Sequence, residues 1–99
     1  MWYFIIKVFP KPNTEIGKEA GGAYVNCWIN FREKEGAEHL AKFYLEREGW
    51  AYEETSEARW VEQEDYEDDA EGLQNFLEAE ADSGSFIVAQ WGLNGEEEQ

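Results

Sequence analysis

The chain has 99 residues, a net charge of −15 at pH 7 and 42% apolar residues, among them five Trp, five Tyr and six Phe. This length and aromatic content are typical of one small folded domain and argue against a wholly disordered chain, in spite of the charge. The scarcity of Lys and Arg argues against binding to nucleic acid or to anionic membrane surfaces, because both contacts depend on cationic side chains.

The net negative charge of the chain comes entirely from its second half. Residues 1–49 carry seven acidic and seven basic side chains, whereas residues 50–99 carry sixteen acidic side chains and one base, Arg59. The single cysteine, Cys27, excludes an internal disulfide. The first ten residues, MWYFIIKVFP, lack the basic region and cleavage site of a secretory signal. We therefore expect a cytoplasmic protein.

The first half of the chain predicts two strands and a helix. Residues 2–9 are apolar on both parities, which indicates a strand covered on both faces, and residues 10–22 are a loop rich in Pro, Gly and Lys. Residues 23–32 alternate strictly and predict a second strand. Its apolar core face comprises Ala23, Val25, Cys27, Ile29 and Phe31. Residues 35–48 predict a helix whose apolar stripe comprises Ala37, Leu40, Ala41, Tyr44 and Leu45, with Gly49 just past its end.

The second half predicts a strand, a helix and a last strand. Residues 50–62 are either one strand with a bulge or a hairpin turning near residues 55–57, and the lack of Gly, Pro or Asn there favours one strand. Residues 66–83 predict a helix capped by Asp65. Its predicted core stripe comprises Tyr66, Ala70, Leu73, Leu77 and Ala81, with Phe76 beside it. Residues 85–91 predict the last strand, and residues 93–99 a flexible acidic tail outside a single domain of residues 1–92.

The element order β-β-α-β-α-β predicts an α+β fold. We expect a two-layer sandwich in which two helices cover one face of a mixed or antiparallel sheet. This arrangement is similar in architecture to ferredoxin-like domains. The similarity rests on no motif and therefore implies no function.

Residue types that carry catalysis or metal binding are sparse. His39 is the only histidine and has no predictable partner, and Cys27 lies on the apolar face of its strand. The acidic patch lacks the spacing of a calcium loop and is typical of a solvated helix N-terminus; its members are Glu62, Glu64, Asp65, Glu67, Asp68, Asp69 and Glu71. We predict no catalytic residue, no cofactor and no metal.

The second face of the second strand is the predicted recognition surface. It comprises Tyr24, Asn26, Trp28, Asn30 and Arg32. If both helices cover the opposite face, Trp28 needs a partner, because monomers rarely expose such a patch. One of the two parities open to the first and last strands would add the side chains of Tyr3, Ile5, Phe9 and Trp91 to the same surface; the sequence does not decide between the two parities. A two-fold dimer is the commonest way to cover a face of this kind.

Three functions fit the sequence. The first, which we favour, is a non-enzymatic interaction module that forms a homodimer through the aromatic sheet face. The second is an acidic inhibitor, such as an immunity protein, that neutralises a basic, nuclease-like partner. The third is a small enzyme or ligand carrier with a cavity near Trp28, Asn30 and Arg32.

Overall fold

The computed structural model describes residues 1–12 and 20–92 of the chain. The predicted tail at residues 93–99 and most of the predicted loop lie outside these ranges. The elements, in chain order, are β1 (Trp2–Pro10), β2 (Ala20–Ile29), α1 (Lys34–Arg47), β3 (Trp50–Trp60), a short 3-10 helix (Gln63–Tyr66), α2 (Ala70–Asp82) and β4 (Gly84–Gly92). The predicted order β-β-α-β-α-β is confirmed.

The described strands form one open antiparallel sheet. Its order is β3-β1-β2-β4, so that β1 and β2 lie in the centre and β3 and β4 form the edges. Every pair is antiparallel, and the β1–β2 register sets Tyr3 opposite Trp28 and Phe4 opposite Cys27. The α+β class and the antiparallel sheet are therefore confirmed.

Residues 50–60 form one irregular strand and no hairpin. The register of β3 against β1 shifts between Ile5 and Ile6 and again between Lys7 and Val8. Ser56 and Glu53 are consequently the extra residues of two bulges, since neither has a partner across the strand pair. Bulges and acidic side chains on β3 make this edge a poor template for pairing with another strand.

The first helix covers one face of the sheet, here called the α1 face. This face presents Phe4, Ile6 and Val8, all fully buried, together with alternate residues of β2. Three side chains of α1 pack onto it and are buried: Ala37, Ala41 and Leu45. The predicted stripe of this helix is confirmed. Its end is also as predicted, since Gly49 has a φ of 97°, which an L-residue rarely adopts.

The second helix covers the opposite face, here called the α2 face. Phe76 and Ala79 pack there with Tyr3 and Trp28 in a second buried cluster, which also contains Met1, Val61 and Tyr66. Ser85 Oγ of β4 donates a 2.6 Å hydrogen bond to Asn75 Oδ1 of α2, and both residues are buried. The expectation that both helices lie on one face is therefore wrong, and the ferredoxin-like arrangement is not matched. The reason lies in the segment between β3 and α2. Val61 and Tyr66 of this segment are buried on the α2 face, so the chain has already passed to that face before α2 begins.

The second helix differs from its prediction in two respects. It begins later in the sequence, and a different stripe of its residues faces the sheet. It starts at Ala70, because the Asp69 side chain accepts a 2.9 Å hydrogen bond from the Gly72 amide. Asp65, the predicted cap of this helix, instead stabilises the start of the 3-10 helix, where its side chain accepts a hydrogen bond from the Glu62 amide. The buried residues of α2 are Gly72, Asn75, Phe76 and Ala79, whereas Leu77 of the predicted core stripe is 44% exposed.

The second strand ends three residues earlier than predicted. Beyond Ile29 the Asn30 amide donates to the carbonyl of Ser83, and the Phe31 amide donates to the carbonyl of Ile29. The second of these bonds closes a tight turn, after which the chain leaves the sheet. Phe31, predicted in the core, is consequently 42% exposed.

Within residues 1–12 and 20–92, the helices lack the length and apolar character needed to cross a membrane.

Candidate functional site

Three of the five predicted recognition residues lie together on the α2 face. Tyr24, Asn26 and Trp28 alternate along β2, and their partners on β1 are Lys7, Ile5 and Tyr3 respectively. Asn30 and Arg32 lie past the end of the strand and are exposed. Of the two parities that the sequence left open for β1 and β4, the structure has the one that places Tyr3, Ile5 and Phe9 on this face, together with Trp91, which lies opposite Gly22.

Trp28 is covered by its own chain. Its side chain is only 5% exposed, its ring centroid lies 5.1 Å from that of Tyr3, and its Nε1 donates a 2.8 Å hydrogen bond to the Tyr66 hydroxyl. Tyr66 and Phe76 fill the space that a partner was expected to fill. The expectation that Trp28 is buried against a second copy is therefore wrong, because α2 and the 3-10 helix cover this half of the face.

Asn26 has a structural contact of its own. The Tyr3 hydroxyl donates a short hydrogen bond to Asn26 Oδ1. Burial raises the pKa of Tyr3, and the nearby Glu57 carboxylate raises it further. Tyr3 therefore stays protonated and keeps donating across the neutral pH range.

The other half of the α2 face carries three aromatic side chains, here called the aromatic platform: Phe9, Tyr24 and Trp91. The ring centroid of Trp91 lies 6.4 Å from that of Phe9 and 5.5 Å from that of Tyr24. Phe9 and Tyr24 are 36% and 41% exposed, and Trp91 is partly buried. The Trp91 indole lies over Gly22, where a Cβ would come within 2.3 Å of the ring. The platform therefore spans β1, β2 and β4, and the indole occupies the space that a side chain at position 22 would need.

Two ion pairs lie on the β3 side of the α2 face. Lys7 Nζ lies 3.2 Å from a Glu53 carboxylate oxygen and 5.7 Å from the ring centroid of Phe9. The hydrogen bond to Glu53 raises the pKa of Lys7. Arg59 Nε lies 3.2 Å from a carboxylate oxygen of Glu57. Glu54 lies opposite Lys7 on the same face and is exposed, so the aromatic surface has two ion pairs and one further carboxylate at its β3 side.

Trp28, Asn30 and Arg32, which were predicted to lie near one cavity, do not line a common cavity. A depression of about 330 Å³ does adjoin Trp28, and its other lining residues are Tyr3, Arg59, Tyr66, Asp69, Glu71, Gly72 and Ile87. Asn30 instead contacts the carbonyl of Glu80, 3.5 Å from its Nδ2. The carbonyl of Arg32 accepts a 2.9 Å hydrogen bond from Trp2 Nε1. The three residues proposed to share a ligand are thus held apart by separate structural contacts.

Some carboxylates of the acidic patch cap helices, and the others are exposed on the surface. Glu62 and Asp65 form a reciprocal capping box, and Asp69 caps α2. The remaining members are exposed: Glu64, Glu67, Asp68 and Glu71. In residues 1–12 and 20–92 no group of His, Cys, Asp or Glu side chains is arranged to hold a metal ion.

A groove that sequence reasoning missed lies on the α1 face. It measures about 500 Å³ and separates the C-terminal half of α1 from β4, because α1 packs over the other three strands. Its lining is mainly apolar: Tyr44, Leu45, Trp50, Phe86 and Val88, with Arg47, Glu48 and Asp82 also present. It contains no histidine or cysteine. The signal in the sequence was Val88, an apolar residue of β4 on the face of the first helix, which remains 44% exposed.

Cys27 is fully buried in the core on the α1 face, and burial strongly raises the pKa of its thiol. Its Sγ contacts the carbonyl of Val25 at 3.6 Å. A thiol in this environment does not form the thiolate that nucleophilic chemistry requires. His39, by contrast, is exposed on α1.

Cys27 is expected to make the fold lose stability at alkaline pH. The folded thiol stays protonated, whereas the thiol of the unfolded chain ionises near its ordinary pKa of 9.0. Its contribution is therefore complete below pH 9 and is lost as the pH rises, by about 1 kcal/mol between pH 9 and 10. Urea unfolding of the parent and of Cys27→Ala at pH 8 to 10 measures this. The variant should be less stable at pH 8 but lose less stability on going to pH 10; equal losses would contradict the assignment.

No protein-family model, no curated protein and no solved structure matches this chain.

Proposed function

We propose that this protein is a non-enzymatic, cytoplasmic interaction module that forms a homodimer through the aromatic platform. The observation that carries the proposal is the exposure of Phe9 and Tyr24 around Trp91, on the part of the α2 face that neither described helix covers. Aromatic side chains bury large apolar areas and are enriched in protein interfaces. A surface of this composition is therefore better suited to binding a protein than to remaining in water.

The distribution of charge favours a second copy as the occupant. Two chains that each carry −15 repel one another unless their acidic parts stay apart. The platform draws on β1 and β2, which belong to the neutral half of the sequence, and on β4, which has no charged residue. Of the acids on the β3 side, Glu53 and Glu57 are paired with Lys7 and Arg59, which leaves Glu54 as the exposed carboxylate nearest to Lys7. Contact at the platform thus costs less repulsion than contact across α2.

The α2 helix covers only one end of the α2 face, and this uneven coverage also favours a two-fold pairing. Helix α2 covers the end of the face at Trp28 and stops short of the end at Tyr24. Two sheets packed face to face lie about 10 Å apart. A copy related by a two-fold axis would set its platform on this one, with the two α2 helices at opposite ends. The same surface patch then serves both subunits, as closed symmetry requires.

Tyr24→Glu is expected to abolish the dimer and leave the fold intact. The side chain is 41% exposed in the monomer, so the carboxylate remains solvated there but would be buried at the centre of the contact. Sedimentation equilibrium in 150 mM NaCl should show a dimer for the parent and a monomer for the variant. Thermal unfolding should show that the variant monomer is folded.

Phe43→Glu is the matched control. Phe43 is an exposed aromatic residue on α1, which packs on the opposite face of the sheet. The substitution Phe43→Glu adds the same charge at a position away from the platform and should leave the dimer unchanged. A parent that is monomeric at high concentration, or equal dissociation of both variants, would overturn the proposal.

A second candidate function is an acidic inhibitor of a basic, nuclease-like partner. One observation favours it: after Arg59 the sequence has no Lys or Arg, and the carboxylates of Glu64, Glu67 and Asp68 are exposed. Such a surface would attract a cationic site from a distance and accelerate association.

A further inference from the structure

Helix α2 carries two apolar stripes, and only one of them faces the sheet. Gly72, Phe76 and Ala79 are buried against the α2 face. A second stripe lies on the outer side of the helix, here called the outer stripe: Ala70, Leu73, Leu77 and Ala81. Leu77 is 44% exposed, Leu73 is partly buried, and the two alanines are exposed.

The outer stripe forms a shallow depression made by α2 alone. All the residues that line it belong to this helix, the others being Gln74, Glu78 and Asp82. Leu73, at the edge of the stripe, also packs against the second buried cluster, so Leu77 is the leucine that the depression leaves most exposed. Residues spaced by three and four positions on a helix form one continuous surface, so the two leucines lie side by side between two alanines. Small residues at both ends permit another helix to approach closely, as the usual interaxial distance of 8–10 Å requires.

The outer stripe is flanked by carboxylates on both sides. Glu78 and Asp82 line it on one side, and Glu80 lies three residues after Leu77 on the other. No basic residue follows Arg59 in the sequence, so α2 has no cation of its own to compensate them. A second copy of this helix would bring like charges together along the whole contact, which is destabilising.

We propose that the outer stripe is the docking site for an amphipathic helix of a basic partner protein. The complement of this surface has leucine-like residues at helical spacing with Lys or Arg on both flanks, the helix-in-groove mode of recognition. The stripe spans twelve residues, or about 18 Å of helix, and so matches a partner helix of about three turns. This site is separate from the aromatic platform and gives the acidic-inhibitor function a defined surface.

The test uses a synthetic 14-residue helical peptide with Leu on one face and Lys on the other positions. Titration into the isotopically labelled protein in 150 mM NaCl should shift the backbone resonances of residues 70–82 first. Leu77→Gln should weaken the binding about tenfold, because it removes an apolar contact without changing the charge. Its melting temperature should stay close to that of the parent, since Leu77 is exposed in the monomer.

Two controls separate this site from general attraction to an acidic protein. Phe43→Gln removes an exposed apolar side chain on α1 and should leave the affinity unchanged. A peptide in which Gln replaces Leu keeps the charge and should bind at least tenfold more weakly. Shifts spread over the whole surface, equal binding of the two peptides, or equal effects of the two variants would overturn the proposal. Tyr24→Glu should still bind the peptide, so failure of the dimer and failure of this site are distinguishable.

Discussion

Trp28→Ala is expected to lower the free energy of unfolding by about 3–5 kcal/mol, the range for removing a large aromatic side chain from a core. The indole is 5% exposed and packs against Tyr3 and Tyr66. The substitution also removes the 2.8 Å hydrogen bond from Nε1 to the Tyr66 hydroxyl. Small domains are stable by only about 5–15 kcal/mol, so this single change removes a large share of the total.

Trp60→Ala is the matched control, because it makes the same substitution at an exposed position. Trp60 is 46% exposed at the edge of the sheet, where it meets the ring of Trp2 edge-on. We expect a loss of about 1 kcal/mol there, in line with an aromatic pair near the surface. Urea unfolding measures both variants. Trp28→Phe supplies a value if Trp28→Ala does not fold.

The concentration dependence of this loss tests whether Trp28 belongs to the core or to an interface. A core residue lowers the stability of the monomer by the same amount at every protein concentration. An interface residue would lower it only where the parent is a dimer, because mass action links association to stability. A small loss for Trp28→Ala, accompanied by dissociation of a dimer, would show that the tryptophan contacts a partner.

Strand parity was enough to predict which side chains share a face. The alternation of Val25, Cys27 and Ile29 against Tyr24 and Trp28 fixed the two sides of β2, and the structure confirms both. Parity could not say what covers each side, because that depends on where the chain travels after β3. The prediction of a partner over Trp28 failed for this reason.

The inner stripe of α2 could not be chosen from helical periodicity, since both stripes have apolar residues at helical spacing. The choice depends on Gly72, where a Cβ would come within 2.5 Å of the Tyr66 ring. Only a glycine lets the helix approach Tyr66 this closely, and that approach turns Phe76 inward and Leu77 outward. A glycine in the middle of a helix is unfavourable by itself, so it signals a close contact.

The melting temperature is expected to rise by about 10 °C between 10 mM and 0.5 M NaCl. At 10 mM salt the Debye length is about 30 Å, comparable with the dimensions of the domain, 38 × 28 × 22 Å. Every carboxylate therefore repels every other one, by about 0.2 kcal/mol for a pair 18 Å apart in water. At 1 M salt the screening length is about 3 Å and the repulsion between distant groups is removed.

The size of the effect follows from the number of uncompensated acids. Residues 50–99 hold sixteen acidic side chains and one basic side chain, so the like-charged pairs number more than a hundred. Part of the repulsion persists in the expanded unfolded chain, and the difference between the two states amounts to about 2 kcal/mol on this pairwise scale. A domain of this size gains about 4–8 °C in melting temperature for each kcal/mol.

A triple variant that removes charge without removing structure tests whether repulsion is the cause. Glu64→Gln, Glu67→Gln and Asp68→Asn change exposed side chains and leave the capping residues Glu62, Asp65 and Asp69 in place. At 10 mM NaCl the variant should melt several degrees above the parent, because it starts with less repulsion to screen. Its melting temperature should therefore depend less on salt, and the two curves should converge towards 0.5 M. Parallel curves would show that salt acts through hydrophobic burial instead, and a flat curve for the parent would show that the acidic half is compensated within the fold.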